Sequence, residues 1–435
     1  MIYQGAEGAY PLSFRKEDTR ILGEHLHRRH SVDLIGMKRV GISNFLRYFL
    51  YHQDLKETFI SPSENHLFIT VDLNDLVERE LYAFWTLTFK RVIDSVEEAD
   101  LPDELKQKVS SAFLSSIQTQ DLFLLLDALR KSMGLLVQAG VFPTVFFLRF
   151  DRIKDAVTPE FVDNLHGLRD ATHGKLCYVF TSYRSLDSLC PQAFTKASLN
   201  AFSQLMYIRP LIEVDMRIIL QEYKKRYSLE ITKELEGELL RLVGGNVQYM
   251  QVVLVILSEQ KDKGPLHKEN LKDIIRQDER ISLLGEELWE SLSSSEKEAL
   301  AKIEAQEVLT DDEKKAASYI FESGMVKEEN EALTIFNPLF AEYVNGVLQH
   351  VSRERELVFS KKEHLLFSLL QNHVGEICER DLIIEAVWPE YREFGVSDWS
   401  IDRLVARVRS KLKKQMSPFE IRTIRTRGYM LTERS

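Results

Sequence analysis

The chain has 435 residues, of which 44% are hydrophobic and 29% are charged, and its formal net charge is −10. A chain of this length and composition indicates a soluble protein of several domains, since it exceeds one ordinary core. No apolar run is long enough to span a membrane, and the three cysteines show neither metal-ligand spacing nor an even disulfide count. We therefore expect a cytoplasmic protein without a metal site or a membrane partner.

The first motif follows a short predicted strand at residues 32–35. An eight-residue turn, residues 36–43, has glycines at its first and sixth positions and leads into an apolar helix. Backbone N–H groups of such a turn, together with the positive end of the helix, can cradle phosphate. The seventh position, where a lysine would reach the β- and γ-phosphates, is Ile42. The candidate nucleotide-binding residues are Gly36, Lys38, Arg39, Gly41 and Ser43, with Asp151 from a later strand.

Further strands are predicted at residues 67–72, 141–151 and 175–182, separated by helical patterns. This alternation predicts a parallel α/β sheet that binds ligands at the carboxyl ends of its strands. The second of these strands ends at Asp151, where a P-loop enzyme places its magnesium-ordering acid. Arg152 follows it, whereas P-loop enzymes that hydrolyse nucleotide place a second acid at that position. The last strand ends in two hydroxyl residues, and Arg184 lies close behind.

The chain becomes helical beyond residue 205, and a Gly244-Gly245 turn opens one of the helices. Taken together, residues 10–280 resemble AAA+/STAND-type P-loop ATPases with a helical lid. The resemblance implies ATP or ADP with Mg²⁺ as a weakly bound cofactor, and it places Gln248 where the lid often supplies an arginine. Because the loop lysine, the second acid and the lid arginine are all missing, we expect little or no ATPase activity and assign no catalytic residue.

Residues 283–350 resemble the winged helix that often follows such ATPase modules. This segment lacks a basic face, so it is predicted to contact other domains or a partner. The predicted domains are a degenerate P-loop ATPase-like α/β domain (1–205), a helical lid (206–282), the winged-helix-like unit (283–350) and a C-terminal winged helix (357–435).

The C-terminal stretch concentrates positive charge. Residues 400–427 contain nine basic and two acidic residues, a local net charge of +7, whereas the chain before Val358 carries −13. A predicted amphipathic helix (400–414) buries Ile401, Leu404, Val405, Val408 and Leu412 on one stripe and is followed by a hairpin with an Arg-Gly-Tyr turn. A cationic helix face and hairpin suit a phosphate backbone and a major groove.

Residues 357–432 also resemble an OmpR/PhoB-type winged-helix DNA-binding domain. The resemblance implies that Arg407, Arg409 and Lys411 lie on the recognition helix and that Arg425 and Arg427 lie on the wing. Thr426 and Trp399 depart from the family pattern. With two further cations of the helix, the candidate DNA-binding residues are Arg403, Arg407, Arg409, Lys411, Lys414, Arg425 and Arg427.

Two functions follow from these patterns. The first is a DNA-binding transcriptional regulator whose N-terminal pseudo-ATPase module serves as a sensor, oligomerisation or partner platform. The second is a DNA-bound AAA+/STAND-type ATPase that retains nucleotide-dependent switching or remodelling. The expected partners are double-stranded DNA, a second copy of the chain and RNA polymerase or another regulatory protein, with the protein at the nucleoid when it is bound to DNA.

Overall fold

The computed structural model describes residues 6–61, 64–260, 268–329, 332–353, 359–389, 396–414, 417–424 and 427–433. The chain divides into two compact units: unit 1 contains residues 1–284 and 288–342, and unit 2 contains residues 285–287 and 343–435. None of the described helices combines the length and apolar character that crossing a membrane requires.

Unit 1 is built on a five-stranded sheet. The strands are β1 (Ser31–Ile35), β2 (Asn65–Asp72), β3 (Val141–Leu148), β4 (Cys177–Ser182) and β5 (Ser203–Tyr207). They lie in the order β2-β3-β4-β1-β5 and every neighbouring pair is parallel. The predicted parallel sheet is therefore confirmed. Because the strands are parallel, the loops after β1, β3 and β4 meet at one edge of the sheet.

Helices connect these strands. They are α1 (Lys16–His27), α2 (Ile42–Tyr51), α3 (Leu55–Phe59), α4 (Leu81–Glu98), α5 (Asp103–Ile117), α6 (Leu122–Gln138), α7 (Pro159–Ala171), α8 (Leu186–Leu189) and α9 (Lys196–Phe202). In α4 the buried residues include Phe84, Thr88 and Val92, which recur at the four-residue spacing of one helix face. The ring of Phe84 lies 5.1 Å from those of Phe147 and Phe161, so aromatic packing joins α4 to β3 and α7.

The predicted lid and the predicted winged-helix-like unit, called the small unit below, follow the sheet in the chain; their residues 285–287 and 343–353 belong to unit 2. The lid helices are α10 (Glu213–Tyr227), α11 (Lys233–Val243), α12 (Val247–Glu259), α13 (Lys268–Gln277) and α14 (Glu279–Glu290). The small unit contains α15 (Ser294–Glu304), α16 (Asp311–Ala316), α17 (Ser318–Glu322) and the antiparallel hairpin of β6 (Val326–Glu329) and β7 (Ala332–Ile335), followed by α18 (Pro338–Arg353). Ser293 caps α15 and forms a capping box with Glu296.

Unit 2 contains the C-terminal domain. Its elements are α19 (Lys361–Gln371), β8 (Cys378–Glu379), α20 (Arg380–Val387), α21 (Asp398–Lys414), β9 (Phe419–Ile424) and β10 (Gly428–Glu433). The strands form an antiparallel sheet in the order β8-β10-β9. Trp388, Leu404 and Val408 are among the fully buried residues of a core shared by the helices and the sheet. Three helices followed by a two-stranded wing confirm the predicted winged-helix architecture.

Candidate functional site

The predicted phosphate-cradling turn joins β1 to α2. Its first residue is fixed to the sheet, since the backbone N–H of Gly36 donates to the Ser182 carbonyl at 3.2 Å. Its second glycine, Gly41, directly precedes α2 and has φ 106°, a left-handed conformation that glycine adopts without strain. Ser43 is exposed in the first turn of α2. The strand–turn–helix layout predicted from the sequence is thus present.

The interior of this turn is apolar. Met37 and Val40 are 1% and 0% exposed. A Cβ added at Gly36 would lie 2.8 Å from Val40 Cγ1 and 3.1 Å from Ile42 Cδ1, so both side chains pack over the first glycine. Backbone N–H groups remain for an anion, but the side chains offer no positive charge where the missing lysine would stand. The residues present therefore do not fit a tightly held triphosphate.

The lid contacts the same turn. A Cβ added at Gly41 would lie 2.5 Å from Cγ2 of Val247, the first residue of α12. Gln248 follows directly, and its backbone N–H donates to the capping side chain of Asn246 at 3.0 Å. The lid therefore meets the turn through an apolar side chain.

The Gly244-Gly245 turn also has a packing role. Both glycines have positive φ, 54° and 87°, and a Cβ at Gly244 would lie 2.2 Å from the Phe336 carbonyl oxygen. A Cβ at Gly245 would lie 2.3 Å from the Leu211 carbonyl oxygen. Only glycine allows the lid to approach the small unit and the β5–α10 connection this closely.

Lys38 lies close enough to Asp151 for their charges to interact. Burial raises the pKa of Asp151, and the nearby charges of Lys38, Arg152 and Arg149 oppose that shift. The Lys38 ammonium also lies 5.1 Å from the ring centroid of Tyr183. Asp151 sits in a 3-10 segment, Phe150–Ala156, because Arg149 is left-handed (φ 59°) and β3 ends at Leu148. The strand predicted for residues 141–151 is therefore three residues too long.

Two arginines lie near Asp151: Arg152 occupies the next position, where a second acid was considered, and Arg149 precedes Asp151 by two residues. The Arg149 guanidinium pairs with the Asp72 carboxylate at the end of β2, and its backbone N–H donates to Thr181 Oγ1 at 2.9 Å. Arg152 Nη1 donates to Asn74 Oδ1 at 2.7 Å. These contacts hold both cations on the β2 side of the edge. Asp151 therefore has cationic neighbours, and a protonated arginine cannot act as the general base that activates water.

Sequence reasoning missed a buried carboxyl group on β1. Asp33 is fully buried; its Oδ2 accepts the Leu186 backbone N–H at 2.9 Å, while Oδ1 has no hydrogen-bond partner in the described structure. Burial raises its pKa to about 8, against the hydrogen bond from Leu186. An aspartate inside the otherwise apolar stretch 32–35 was the signal that could have found it.

In unit 2, α21 buries the predicted apolar stripe of Ile401, Leu404, Val405, Val408 and Leu412. Two of its cations share a buried carboxylate on α19: Lys411 Nζ lies 2.7 Å and Arg407 Nε 3.5 Å from the oxygens of Glu363. Burial acts to raise the pKa of Glu363, but hydrogen bonds from Lys411 and the Ser360 backbone, with the Arg407 charge, outweigh it and lower the pKa. Glu363 thereby orients Lys411, whereas Arg407 is oriented by Glu286, whose Oε1 accepts a hydrogen bond from Arg407 Nη1 at 2.7 Å.

A third cation joins α21 to the wing. Arg409 Nε donates to the Ile421 carbonyl and Nη2 to Thr423 Oγ1, both at 2.8 Å, on β9. At the wing turn the Arg427 side chain is 60% exposed and lies 3.8 Å from Glu379. Arg403 is partly exposed on α21. Arg425 and the side chain of Lys414 lie outside the described residues.

The solvent-facing side of α21 is small and polar. Asp402, Ala406, Ser410 and Lys413 are exposed and recur at three- and four-residue intervals. Asp402 pairs with Arg380 Nη2 at 2.6 Å, so it is oriented from α20. Among the described residues, the predicted cations Arg403, Arg407, Arg409 and Lys411 lie beside this exposed stripe and are less exposed than it is, which charge spacing alone did not show.

Comparison with known families supports the assignment of unit 2. Residues 354–431 match the family model described as "Transcriptional regulatory protein, C terminal". The match confirms the resemblance of residues 357–432 to the OmpR/PhoB-type winged helix. No curated protein sequence matches the chain significantly.

Solved structures with partial similarity include three archaeal proteins. A Walker-type ATPase of Pyrococcus abyssi is 15% identical, with a TM-score of 0.48, over 76% of this chain and 95% of that one. The ORC2 protein of Aeropyrum pernix is 12% identical, with a TM-score of 0.45, over 79% and 96%. The ORC1 protein of Aeropyrum pernix in complex with DNA is 11% identical, with a TM-score of 0.34, over 96% and 88%.

Proposed function

We propose that this chain is a DNA-binding transcriptional regulator whose output is the C-terminal winged helix. The observation that carries the proposal is the cationic helix α21, joined through Arg409 to the β9–β10 wing, within a segment that matches the transcriptional-regulator family. The acidic remainder of the chain favours DNA contact through this domain, because its negative charge repels phosphate elsewhere.

The geometry suits two kinds of contact with double-stranded DNA, one with phosphates and one with base edges. Arg403, Arg407 and Lys411 flank the exposed stripe and would contact phosphates, which fix register but carry no sequence information. Ala406 and Ser410 are small, so the helix could approach base edges in the major groove closely. Arg427, exposed at the wing turn, would contact a further phosphate. The entropy lost on binding is reduced, because Glu363 already orients Lys411 and Glu286 already orients Arg407.

Substitution of the flanking and wing arginines should weaken DNA binding. Each of Arg407→Ala and Arg427→Ala is expected to raise the dissociation constant roughly tenfold and to flatten the salt dependence by about one unit, since each removes one phosphate contact. Gel shifts over a salt series with sequences selected from a random pool would measure both quantities. Selection with and without ATP would also show whether nucleotide affects specificity.

Arg422→Ala is the matched control. Arg422 lies on wing strand β9, is 55% exposed and pairs with Glu420. Its substitution therefore removes one positive charge, as Arg427→Ala does, from a residue that is not among the proposed phosphate contacts. We expect a smaller loss of affinity than for Arg427→Ala. Unchanged binding by both Arg407→Ala and Arg427→Ala would remove the recognition-helix and wing assignments.

For the N-terminal module we propose a sensor, oligomerisation or partner platform that has lost ATPase turnover. Support comes from the apolar interior of the turn, the contact between Val247 and Gly41, and the arginines beside Asp151. Backbone N–H groups, Ser43 and Asp151 remain for weak binding of ATP or ADP. The platform would present a second copy of the chain, RNA polymerase or another regulator at the target site.

A phosphate-release assay separates this proposal from a DNA-bound ATPase. Wild-type protein is expected to release no phosphate above background, with or without DNA. Loss of one group that stabilises transition-state charge typically costs about 100- to 1,000-fold in rate, and two such groups, the loop lysine and the lid arginine, are missing together with the second acid. Ile42→Lys should not restore turnover, since Arg152 and Gln248 remain. Turnover by the wild type that Asp151→Ala abolishes would instead establish the ATPase.

A further inference from the structure

Arg184 joins the edge of the sheet to the small unit. It lies two residues beyond β4, and its side chain is 15% exposed. Its Nη1 and Nη2 donate to the two carboxylate oxygens of Glu296 at 2.6 Å and 2.5 Å, and Nη2 also donates to the Ser291 carbonyl at 2.6 Å. This is a bidentate arginine–carboxylate pair, the geometry that gives such pairs their directional strength.

One guanidinium therefore holds three helices. Ser291 is the C-cap of α14, and Glu296 lies in the first turn of α15. The ring centroid of Tyr319, on α17, lies 3.7 Å from the guanidinium carbon. Each contact is electrostatically favourable, because a cation suits the carbonyl end of a helix and an aromatic face, and a carboxylate suits a helix N-terminus. The segment 291–322 is thereby attached to the strand that borders the predicted nucleotide edge.

The pair is buried on both sides. Glu296 is 4% exposed, and its Oε2 also accepts the Ser293 backbone N–H at 2.8 Å. If the segment left the sheet while either charge stayed buried, that charge would be uncompensated and strongly unfavourable. Detachment therefore requires both groups to separate and become hydrated together.

The lid is attached to the small unit by a second direct contact. Asn337 Nδ2 donates to the Val243 carbonyl at 3.3 Å, beside the Gly244 position that admits no Cβ. In unit 1, then, protein groups make the connections among sheet edge, lid and small unit. In a module that closes only when nucleotide is bound, the bound nucleotide would have to make these connections.

We propose that Arg184 and Glu296 form a latch that holds residues 291–322 closed on the carboxyl edge of the sheet without nucleotide. Because of this pair, residues 291–322 stay packed against the sheet of unit 1 whether or not nucleotide is bound. This property goes beyond loss of hydrolysis, because a protein with no ATPase activity could still open and close with bound nucleotide.

Hydrogen exchange of the full chain, read by mass spectrometry, tests the latch. Arg184→Gln and Glu296→Gln should each accelerate exchange roughly tenfold or more in peptides from α15 and α17, with β3 unchanged, because local opening follows loss of the pair. Ser293→Ala is the matched control: it removes the side chain that caps α15 without touching Arg184. Its effect should stay within the first turn of α15.

The double variant Arg184→Gln/Glu296→Gln should exchange no faster than the quicker single variant, since both substitutions break one interaction. Addition of ATP and Mg²⁺ to the wild type should leave exchange in α15 and α17 unchanged. Unchanged exchange in the single variants, multiplicative effects in the double variant, or a nucleotide-dependent change in the wild type would overturn the proposal. Acceleration that also includes β3 would show general unfolding and would likewise overturn it.

Discussion

Replacing Gly428 with alanine should separate wing strand β10 from β8. Gly428 begins β10 and pairs with Glu379 of β8. A Cβ there would lie 2.1 Å from the Cys378 carbonyl oxygen and 3.0 Å from Glu379 Cα, both backbone atoms that cannot rotate away. The two strands must separate, and we expect a cost of about 3 kcal/mol, at the upper end of ordinary overpacking. Exchange protection of β10 peptides in the full chain would measure this free energy of opening.

Gly375→Ala provides the control within unit 2. Gly375 has φ 82° but no atom within 4 Å of an added Cβ, so only backbone strain of about 1–2 kcal/mol is expected. Its effect on β10 protection should therefore be smaller. Equal effects of the two substitutions would show that the close approach of β8 and β10 is not what requires glycine at position 428.

The apolar stripe of α21 could be predicted because helical periodicity alone determines which residues share a face. The environment of its cations could not. Arg407 and Lys411 contact Glu363, which lies more than 40 residues earlier on α19, and Arg409 contacts β9. Spacing identified a positive helix, but tertiary packing decided which cations are oriented and which side of the helix is exposed.

The strand–turn–helix around Gly36 was also predictable, since it depends on local glycine positions and on the switch from a strand to a helix pattern. The end of β3 was not, because Phe150 and Ile153 continue the buried apolar pattern while the left-handed Arg149 ends the strand. The apolar contact of Val247 with Gly41 joins residues about 200 positions apart. The sequence showed which charged residues the turn lacks, and the structure shows that an apolar side chain of the lid, Val247, packs against it.

Asp33 should make the stability of unit 1 fall as pH rises. Burial raises its folded-state pKa to about 8, from a model-peptide value of 3.8. Between these pH values the folded chain keeps a proton that the unfolded chain has released. The free energy of unfolding therefore decreases with a slope of at most about 1.4 kcal/mol per pH unit. Below pH 4 both states are protonated, and above pH 8 both are ionised, so the contribution is constant outside this window.

Asp33→Asn should remove this dependence, because the amide is neutral at every pH and its oxygen can still accept the Leu186 N–H. Urea unfolding at pH 5, 6, 7 and 8, followed by circular dichroism, would compare the two proteins. The wild type should lose up to about 4 kcal/mol relative to Asp33→Asn between pH 5 and pH 8. Asp155→Asn, an exposed aspartate beyond β3, is the control and should parallel the wild type. Parallel curves for wild type and Asp33→Asn would mean that Asp33 titrates alike in both states, and the buried carboxyl would then need a compensating charge.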